Sequence, residues 1–323
     1  MRVLIADPDD RRREQATTRL GRLPGVQLSA ACADLSATFD IVEHRPPHVV
    51  LYAQSFTQQP EFETMETLCR HLSVRWMTFS IGTCRTPHNL INVDLAADEA
   101  AILSTLQAKM NQKAAAARGP QIGLFHSTFP SRSSNIVLIG SSTGGVDALL
   151  QVLGTFPADC PPTLVVQHTG ASFSAGLARL LNARVEPKVI EAYEGAMLAS
   201  GTIMIAPGAD AHLVLNAQHG TRCRLEVSPR MNGHRPSVDA LFKSAARVAD
   251  RVTAVLLTGM GRDGAEGLLD LKTAGAQTIA QDKATSLVYG MPGAAADLGA
   301  VNQKLPLSAI GPAILKSSQQ RGC

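Results

Sequence analysis

The fold class of the chain follows from NIVLIGSSTGGVDALL, residues 135–150. Residues 135–140 are mostly apolar, as is typical of a strand buried on both faces of a sheet. Small residues follow at 140–145, and the spacing of apolar residues over 146–155 predicts a helix. A buried strand that turns through glycines into a helix is the building unit of a parallel α/β sheet.

The same unit recurs through the second half of the chain. Apolar runs predict strands, and amphipathic stretches after them predict helices, at 163–167 (strand), 172–182 (helix), 253–257 (strand), 264–273 (helix) and 277–280 (strand). Residues 201–227 instead alternate in polarity and contain turn residues, which predicts a hairpin or meander. We therefore expect a doubly wound parallel sheet with a small β-hairpin insertion.

The first half of the chain shows the same rhythm in shorter elements. Strands are predicted at 2–6, 26–31 and 48–53, with helices at 11–23 and 33–43. Residues 111–134 are rich in Ala at first and then in Ser and Pro, which indicates a linker. The fold class is therefore α/β with two doubly wound domains, at 1–110 and 135–318, joined by that linker.

Composition excludes several classes of function. The chain has 323 residues, 45% hydrophobic and 18% charged, and a net charge of only +3, so nucleic acid is not an expected partner. The six cysteines are scattered, which favours reduced thiols over disulfides or a metal site. We expect no leader segment before the first strand, and no apolar run reaches the roughly 18 residues of a membrane span. We expect a cytoplasmic protein without membrane insertion.

The turn after the strand at 135–140 carries the first candidate catalytic residue. Gly140, Ser142 and Gly144 form G-x-S-x-G between a strand and a helix, the setting of a nucleophile elbow. Glycines allow the sharp turn, and the helix start offers N–H groups to a developing oxyanion. A phosphate-binding turn is the alternative, although the Lys-Ser/Thr end of a P-loop and the dinucleotide spacing are both missing.

Two other strand ends carry complementary side chains. His168 follows the strand at 163–167, and Asp263 lies in the glycine-rich loop after 253–257. Loops at the carboxyl ends of parallel strands meet at one edge of the sheet. Ser142, His168 and Asp263 can therefore act as nucleophile, general base and orienter of the imidazole. Their order along the chain differs from that of α/β-hydrolases.

At these residues the chain resembles the chemotaxis receptor methylesterases (protein-glutamate methylesterases of the CheB type). The resemblance covers residues 135–315 and includes IGSSTGGVDALL (139–150), VVQH (165–168), IAPG (205–208), HRPSVDALF (234–242), LLTGMGRDGAEGL (256–268), IAQDKATSLVYGMP (279–292) and ADLGAV (296–301). It implies a Rossmann-like catalytic domain.

The resemblance also assigns roles to individual residues. The family's serine, histidine and aspartate fall on Ser142, His168 and Asp263. It further implies that Met260 supplies a backbone amide near the oxyanion and that the Thr143 hydroxyl helps to hold His168. For His234 and Arg235 two roles stay open, lining the substrate cleft or supporting the structure.

The implied reaction is hydrolysis of glutamate γ-methyl esters on the cytoplasmic helices of methyl-accepting chemoreceptors, with release of methanol. Deamidation of receptor glutamines is a further expectation, and a chemosensory kinase or scaffold is an expected partner. No metal or organic cofactor is required. The competing hypothesis is a non-catalytic chemosensory module whose GSSTGG loop holds a ligand.

The first domain resembles a phosphorylation-controlled receiver, with a flavodoxin-like fold, but lacks the residues that receivers use. Ala53 occupies the position of the phosphoacceptor aspartate, and Pro8 that of the second acidic residue. The first lysine of the chain is Lys109, so the receiver lysine is also missing. We therefore expect a receiver-like domain that is retained for docking or for covering the active site and is not controlled by aspartyl phosphorylation.

Overall fold

The computed structural model describes residues 1–59, 62–82, 92–111, 135–169, 173–208, 210–216 and 222–320. The chain divides into two compact units, Met1–Gln121 and Ile122–Cys323. The predicted linker at 111–134 lies outside the described residues except for Asn111. Within the described ranges, every helix is too short or too polar to cross a lipid bilayer.

The first unit is a five-stranded parallel sheet with helices between its strands. The strands are β1 (Arg2–Ala6), β2 (Gln27–Cys32), β3 (Val49–Tyr52), β4 (Arg75–Ser80) and β5 (Asn92–Asp94), and the helices are α1 (Asp10–Gly21), α2 (Leu35–His44), α3 (Phe62–His71) and α4 (Glu99–Asn111). The strand order β2-β1-β3-β4-β5 is that of a flavodoxin-like sheet, which confirms the predicted fold.

Local signals explain where its first helices begin. The side chain of Asp9 accepts a hydrogen bond from the Arg12 amide at 2.9 Å and caps α1. Asp34 caps α2 in the same way, through the Ala37 amide at 2.7 Å, so α2 begins two residues later than predicted. Each cap satisfies a backbone donor that the first helical turn leaves unpaired.

The second unit contains a seven-stranded parallel sheet and a separate hairpin. Its strands are β6 (Ile136–Ser141), β7 (Thr163–Gln167), β8 (Lys188–Glu191), β9 (Thr202–Ile205), β10 (His212–Leu215), β11 (Cys223–Glu226), β12 (Val252–Leu256), β13 (Gln277–Gln281) and β14 (Gln303–Leu305). Its helices are α5 (Gly145–Leu153), α6 (Phe173–Asn182), α7 (Val238–Ser244), α8 (Ala265–Thr273), α9 (Met291–Asp297) and α10 (Leu307–Gln320). The order β14-β13-β12-β6-β7-β9-β8 is doubly wound, as predicted.

The prediction for residues 201–227 was right only in part. β10 and β11 pair antiparallel, from His212 opposite Glu226 to Leu215 opposite Cys223. β9, however, lies inside the parallel sheet between β7 and β8. Its sequence, TIMI, has only three apolar residues after a threonine, and a run this short does not reveal which strands it will pair with.

The strand order fixes where a site can form. β6 is the first strand of this sheet and lies at its centre, with β7 on one side and β12 on the other. The chain leaves β6 in one direction and later returns on the opposite side, which creates a switch point at the carboxyl ends of these strands. The residues that follow β6, β7 and β12 are therefore brought to one edge of the sheet.

Candidate active site

The turn after β6 holds Ser142 in a closely packed backbone. The Ser142 amide donates to the Thr258 carbonyl at 3.0 Å, and the Gly145 amide donates to the Ser142 carbonyl at 2.7 Å. Gly144 has a φ of +79° at the start of α5, and a Cβ there would lie 2.7 Å from the Cβ of Leu287. A Cβ on Gly259 would lie 2.8 Å from the Cβ of Ser142. Both glycines are therefore required by the turn.

A buried glutamine ties the serine turn to the histidine. Gln167, the last residue of β7, accepts from the Ser141 hydroxyl at 2.6 Å. Its side-chain amide donates to the carbonyls of Ser142 at 2.9 Å and His168 at 3.2 Å. The sequence analysis did not identify this residue, although a polar residue at the end of a buried apolar strand is a usable signal.

His168 and Asp263, predicted as base and orienter, are in direct contact. Nε2 of His168 lies 2.8 Å from Oδ2 of Asp263, and their side chains are only 8% and 1% exposed. A proton on Nε2 satisfies this bond and leaves Nδ1 as an acceptor. Nδ1 is buried and has no hydrogen-bond partner in the structure. In this tautomer the ring has an unpaired acceptor nitrogen on the edge opposite the aspartate.

Asp263 is itself held by the start of α7. The Ser237 hydroxyl donates to Oδ1 at 2.7 Å, and the amides of Val238 and Asp239 donate at 2.8 and 3.1 Å. Burial raises the pKa of Asp263, but the hydrogen bond and charge of His168, with these donors, outweigh burial and lower the pKa to about 2. The carboxylate therefore stays ionised and fixed in orientation.

Ser142 is not hydrogen-bonded to His168 in this structure. Its hydroxyl makes no hydrogen bond to any residue in the described part of the chain, and Nδ1 of His168 is unpartnered. Bonds between a nucleophile and its base are often long in unliganded enzymes and tighten with substrate. His168 and Asp263 are therefore in direct contact. Ser142 is near them because it follows β6, the strand next to β7.

The two predicted supporting residues belong to the segments around the serine, and neither forms a hydrogen bond with His168 among the described residues. The Thr143 carbonyl accepts from the Thr258 hydroxyl at 2.9 Å, while no bond between the Thr143 hydroxyl and His168 occurs among the described residues. Met260 is 70% exposed, and its backbone amide donates to none of the residues that the structure describes. The roles predicted for both remain predictions.

A second histidine lies on the first. The rings of His168 and His234 are stacked with centroids 3.8 Å apart and planes 5° from parallel. A third histidine holds Ser237: the Ser237 amide donates a hydrogen bond to Nδ1 of the buried His212 at 3.1 Å. Nε2 of His212 lies 3.0 Å from the Pro229 carbonyl. The predicted alternatives for His234 did not include stacking on His168, the predicted base.

The strand ends of the first unit hold a different arrangement. Ala53, only 4% exposed, follows β3 at the position predicted for the missing phosphoacceptor. Asp7 follows β1 and is fully buried, and Arg12 binds both of its carboxylate oxygens at 2.9 Å. The Asp9 amide donates to Asp7 at 2.8 Å. The carboxylate of Asp7 is therefore paired with the permanent positive charge of Arg12.

No cluster of three or more His, Cys, Asp or Glu side chains that could hold a metal ion occurs within the described ranges.

Comparisons with known proteins agree on one family. Residues 137–314 match the family model of the CheB methylesterase. A protein-glutamate methylesterase/protein-glutamine glutaminase of Caulobacter vibrioides is 36% identical over 340 residues, covering 99% of both chains. One from Rhizobium johnstonii is 53% identical over 187 residues, which cover 58% of this chain and 54% of the relative.

A solved structure resembles part of the chain. The crystal structure of the CheB methylesterase catalytic domain of Thermotoga maritima matches with a TM-score of 0.55 and 39% sequence identity. The match covers 58% of this chain and 100% of the Thermotoga chain. This similarity supports the α/β fold described above.

Proposed function

The chain belongs to the CheB methylesterase family, and on that premise we propose that it hydrolyses glutamate γ-methyl esters with Ser142 as nucleophile. The observation that carries the proposal is the 2.8 Å contact between Nε2 of His168 and Oδ2 of Asp263. A histidine that is oriented by a carboxylate and keeps a free ring nitrogen is the base that a serine nucleophile needs. The names of the relatives pair esterase with glutaminase activity, so the proposal extends to glutamine amides.

The reaction begins with attack of the Ser142 oxygen on the γ-carbonyl carbon while Nδ1 of His168 takes the hydroxyl proton. The bond from that carbon to the methoxy oxygen then breaks, and His168 gives its proton to that oxygen, which leaves as methanol. Water attacks the resulting ester of Ser142, again losing a proton to His168, and the serine leaves reprotonated. With a glutamine substrate ammonia departs in place of methanol, and the product is the same carboxylate.

Charge on the carbonyl oxygen requires nearby donors, and Met260 is the residue that we assign to this task. Its loop is brought against the serine by Gly259, and Gly261 at a φ of +86° turns the chain away again. The Met260 amide donates to none of the described residues and is thus open to a substrate oxygen. An oriented backbone N–H in such a position typically contributes a factor of about 10² to 10³ in kcat.

We place the ester on a helix of a methyl-accepting chemoreceptor, the substrate that the family resemblance implies. The surroundings of the serine turn favour a partner with an apolar surface, because Met260 and Leu287, whose segments pack against that turn, are 70% and 71% exposed. Exposed large apolar side chains beside a reactive group are typical of recognition surfaces. A chemosensory kinase or scaffold as a further partner rests on the resemblance alone.

We further propose that the first unit does not use aspartyl phosphate. Ala53 has no carboxylate to phosphorylate, and the carboxylate of Asp7 is occupied by Arg12. A receiver-like unit of this kind can dock a partner or cover the active site. The competing idea of a non-catalytic ligand-binding module is not supported, since the matching relatives are named as enzymes.

The test is methanol release from a methylated chemoreceptor fragment by the full-length protein. Ser142→Ala should reduce release to near background, a loss on the order of 10⁶ in kcat for a triad nucleophile. Lys316→Ala, an exposed change on α10, is the matched control and should retain full activity. Unchanged release by Ser142→Ala, or no release by the unmutated protein from any methylated receptor, would contradict the proposal.

A further inference from the structure

His234 is carried by a tight turn that presents it to the catalytic histidine. The amide of Met231 donates to the carbonyl of His234 at 3.0 Å, and the amide of His234 donates back at 2.9 Å. Between them, Asn232 and Gly233 have φ angles of +51° and +82°. Two central residues at positive φ define a type I′ turn, the geometry that Asn-Gly adopts most readily. The turn is therefore rigid.

The turn is also anchored in the interior of the unit. The Asn232 side-chain amide donates to the carboxylate of Asp239, which is fully buried in α7. The other carboxylate oxygen of Asp239 accepts from the Gly267 amide of α8 at 2.6 Å. A buried carboxylate with two such donors fixes the turn to the body of the domain, because loss of either partner would leave the carboxylate under-satisfied.

The same segment, residues 231–239, reaches both members of the proposed base pair. His234 near one end is stacked on His168, while Ser237, Val238 and Asp239 at the other end bind Asp263. One rigid piece of chain thus contacts the face of the imidazole and the carboxylate that orients it. Rotation of the His168 ring out of the plane of Asp263 would collide with His234 at 3.8 Å.

The charge of His234 is also controlled. Burial lowers the pKa of His234, and repulsion by His168 and by Arg230 lowers it further. The charge of Asp263 acts in the opposite direction and raises the pKa, but the net shift is downward. A neutral ring can lie against an imidazole that must become positive during the reaction, whereas a charged ring would repel it. Half-buried between His168 and solvent, His234 also shields one face of the base from water.

We propose that His234 is a positioning residue of the hydrolysis reaction, holding the ring of His168 in the plane that joins Asp263 to Ser142. The proposal rests on the function proposed above and replaces a role in lining the substrate cleft. A cleft residue acts on substrate binding and alters KM, whereas a residue that orients the base acts on kcat.

The test is the pH dependence of kcat and KM for methanol release by full-length His234→Ala and His234→Phe. We expect His234→Ala to lower kcat about tenfold, the factor that a ring-stacking contribution of ordinary size gives, with KM within about twofold of the unmutated value. His234→Phe keeps a flat ring and should restore most of kcat. Because the phenyl face attracts the protonated imidazole, it should also move the acid limb of the profile to higher pH.

Asn232→Gly provides an independent variant, since glycine keeps the positive φ and removes only the amide that binds Asp239. We expect it to lower kcat several-fold without altering either ring. The proposal would be overturned by a change in KM alone, by unchanged kcat in His234→Ala, or by His234→Phe as impaired as His234→Ala. All of these comparisons presuppose activity in the unmutated protein, so failure of the proposed function itself would be seen separately.

Discussion

Each unit places a buried carboxylate after an interior strand of its parallel sheet, but the two carboxylates have different partners. Asp7 in the first unit is fully buried and bound through both oxygens by Arg12, a cation at every accessible pH. Asp263 in the second unit is equally buried but is paired with His168, whose other nitrogen has no partner. An arginine partner gives a closed structural ion pair, whereas a histidine partner with an unpaired ring nitrogen gives the arrangement that the proposed base requires. The two sites therefore differ mainly in the residue that binds the carboxylate, which is Arg12 for Asp7 and His168 for Asp263.

The strongest test of this contrast removes the charge from Asp263. Asp263→Asn should lower kcat for methanol release by about 10⁴, because an amide cannot hold the imidazole in the tautomer that leaves Nδ1 basic. Asp270→Asn, an exposed carboxylate on α8, is the matched control and should change kcat less than twofold. Full activity in Asp263→Asn would mean that the 2.8 Å contact is not part of the catalytic machinery.

The corresponding change in the first unit should affect stability. Arg12→Ala leaves the buried Asp7 with the Asp9 amide as its remaining donor in the described contacts, and we expect a loss of about 2 kcal/mol. The value is modest because the Arg12 side chain is 48% exposed and its charge is screened. Urea unfolding followed by tryptophan fluorescence reports on this unit, since the single tryptophan is Trp76 in β4.

Arg11→Ala, the adjacent exposed arginine of α1, is the control and should leave the unfolding midpoint unchanged. If Arg12→Ala unfolds at the same urea concentration as the unmutated protein, the ion pair does not contribute to the stability of the first unit.

Acid should also destabilise the second unit through Asp263. Its pKa is about 2 in the folded protein and 3.8 as a free side chain, so its stabilising contribution is complete above pH 4 and is lost as the pH falls towards 2. The shift corresponds to about 2 kcal/mol. Urea unfolding followed by circular dichroism at pH 4 and pH 2 should show this loss, and Asp263→Asn should lose less over the same interval. An identical pH dependence in the two proteins would remove Asp263 as the cause.

The last prediction concerns phosphorylation of the first unit, where we expect no change. Incubation of the full-length protein with a small phosphodonor and Mg²⁺ should add no phosphate, because Ala53 cannot be an acceptor. Mass spectrometry and methanol release before and after incubation are the measurements. An acid-stable, base-labile phosphoprotein would break the contrast by showing that the first unit has a functional acceptor elsewhere.

The sequence predicted those parts of the site that depend on strand ends. Ser142, His168 and Asp263 each follow a strand that local apolar pattern alone identifies, and a parallel sheet gathers such positions at one edge. The alternation of strands and helices is equally local, so the doubly wound fold class was predicted correctly, although strands β4, β5, β8 and β14 were not predicted. The boundaries of elements moved by one or two residues, as at α2, where a capping aspartate sets the start.

The features that were missed depend on long-range contacts. β9 lies within the segment predicted as a hairpin or meander, and its four-residue sequence does not show that it pairs with β7 and β8. The stack of His234 on His168 joins positions 66 apart in the sequence through a turn whose direction only the folded chain defines. Ser237 had a usable local signal, since a serine before a helix is a common cap, but that signal says nothing about Asp263.

The glycines around Ser142 have a practical consequence for anyone who wishes to retarget the enzyme. At Gly144 and Gly259 even a methyl group would strike Leu287, Thr258, Met291 or the serine itself, so libraries that diversify these two positions should yield mostly inactive protein. Met260 and Leu287 project outward with more than two thirds of their surface exposed. New substrate preferences should therefore be sought by varying these two side chains, on a backbone that engineering leaves untouched.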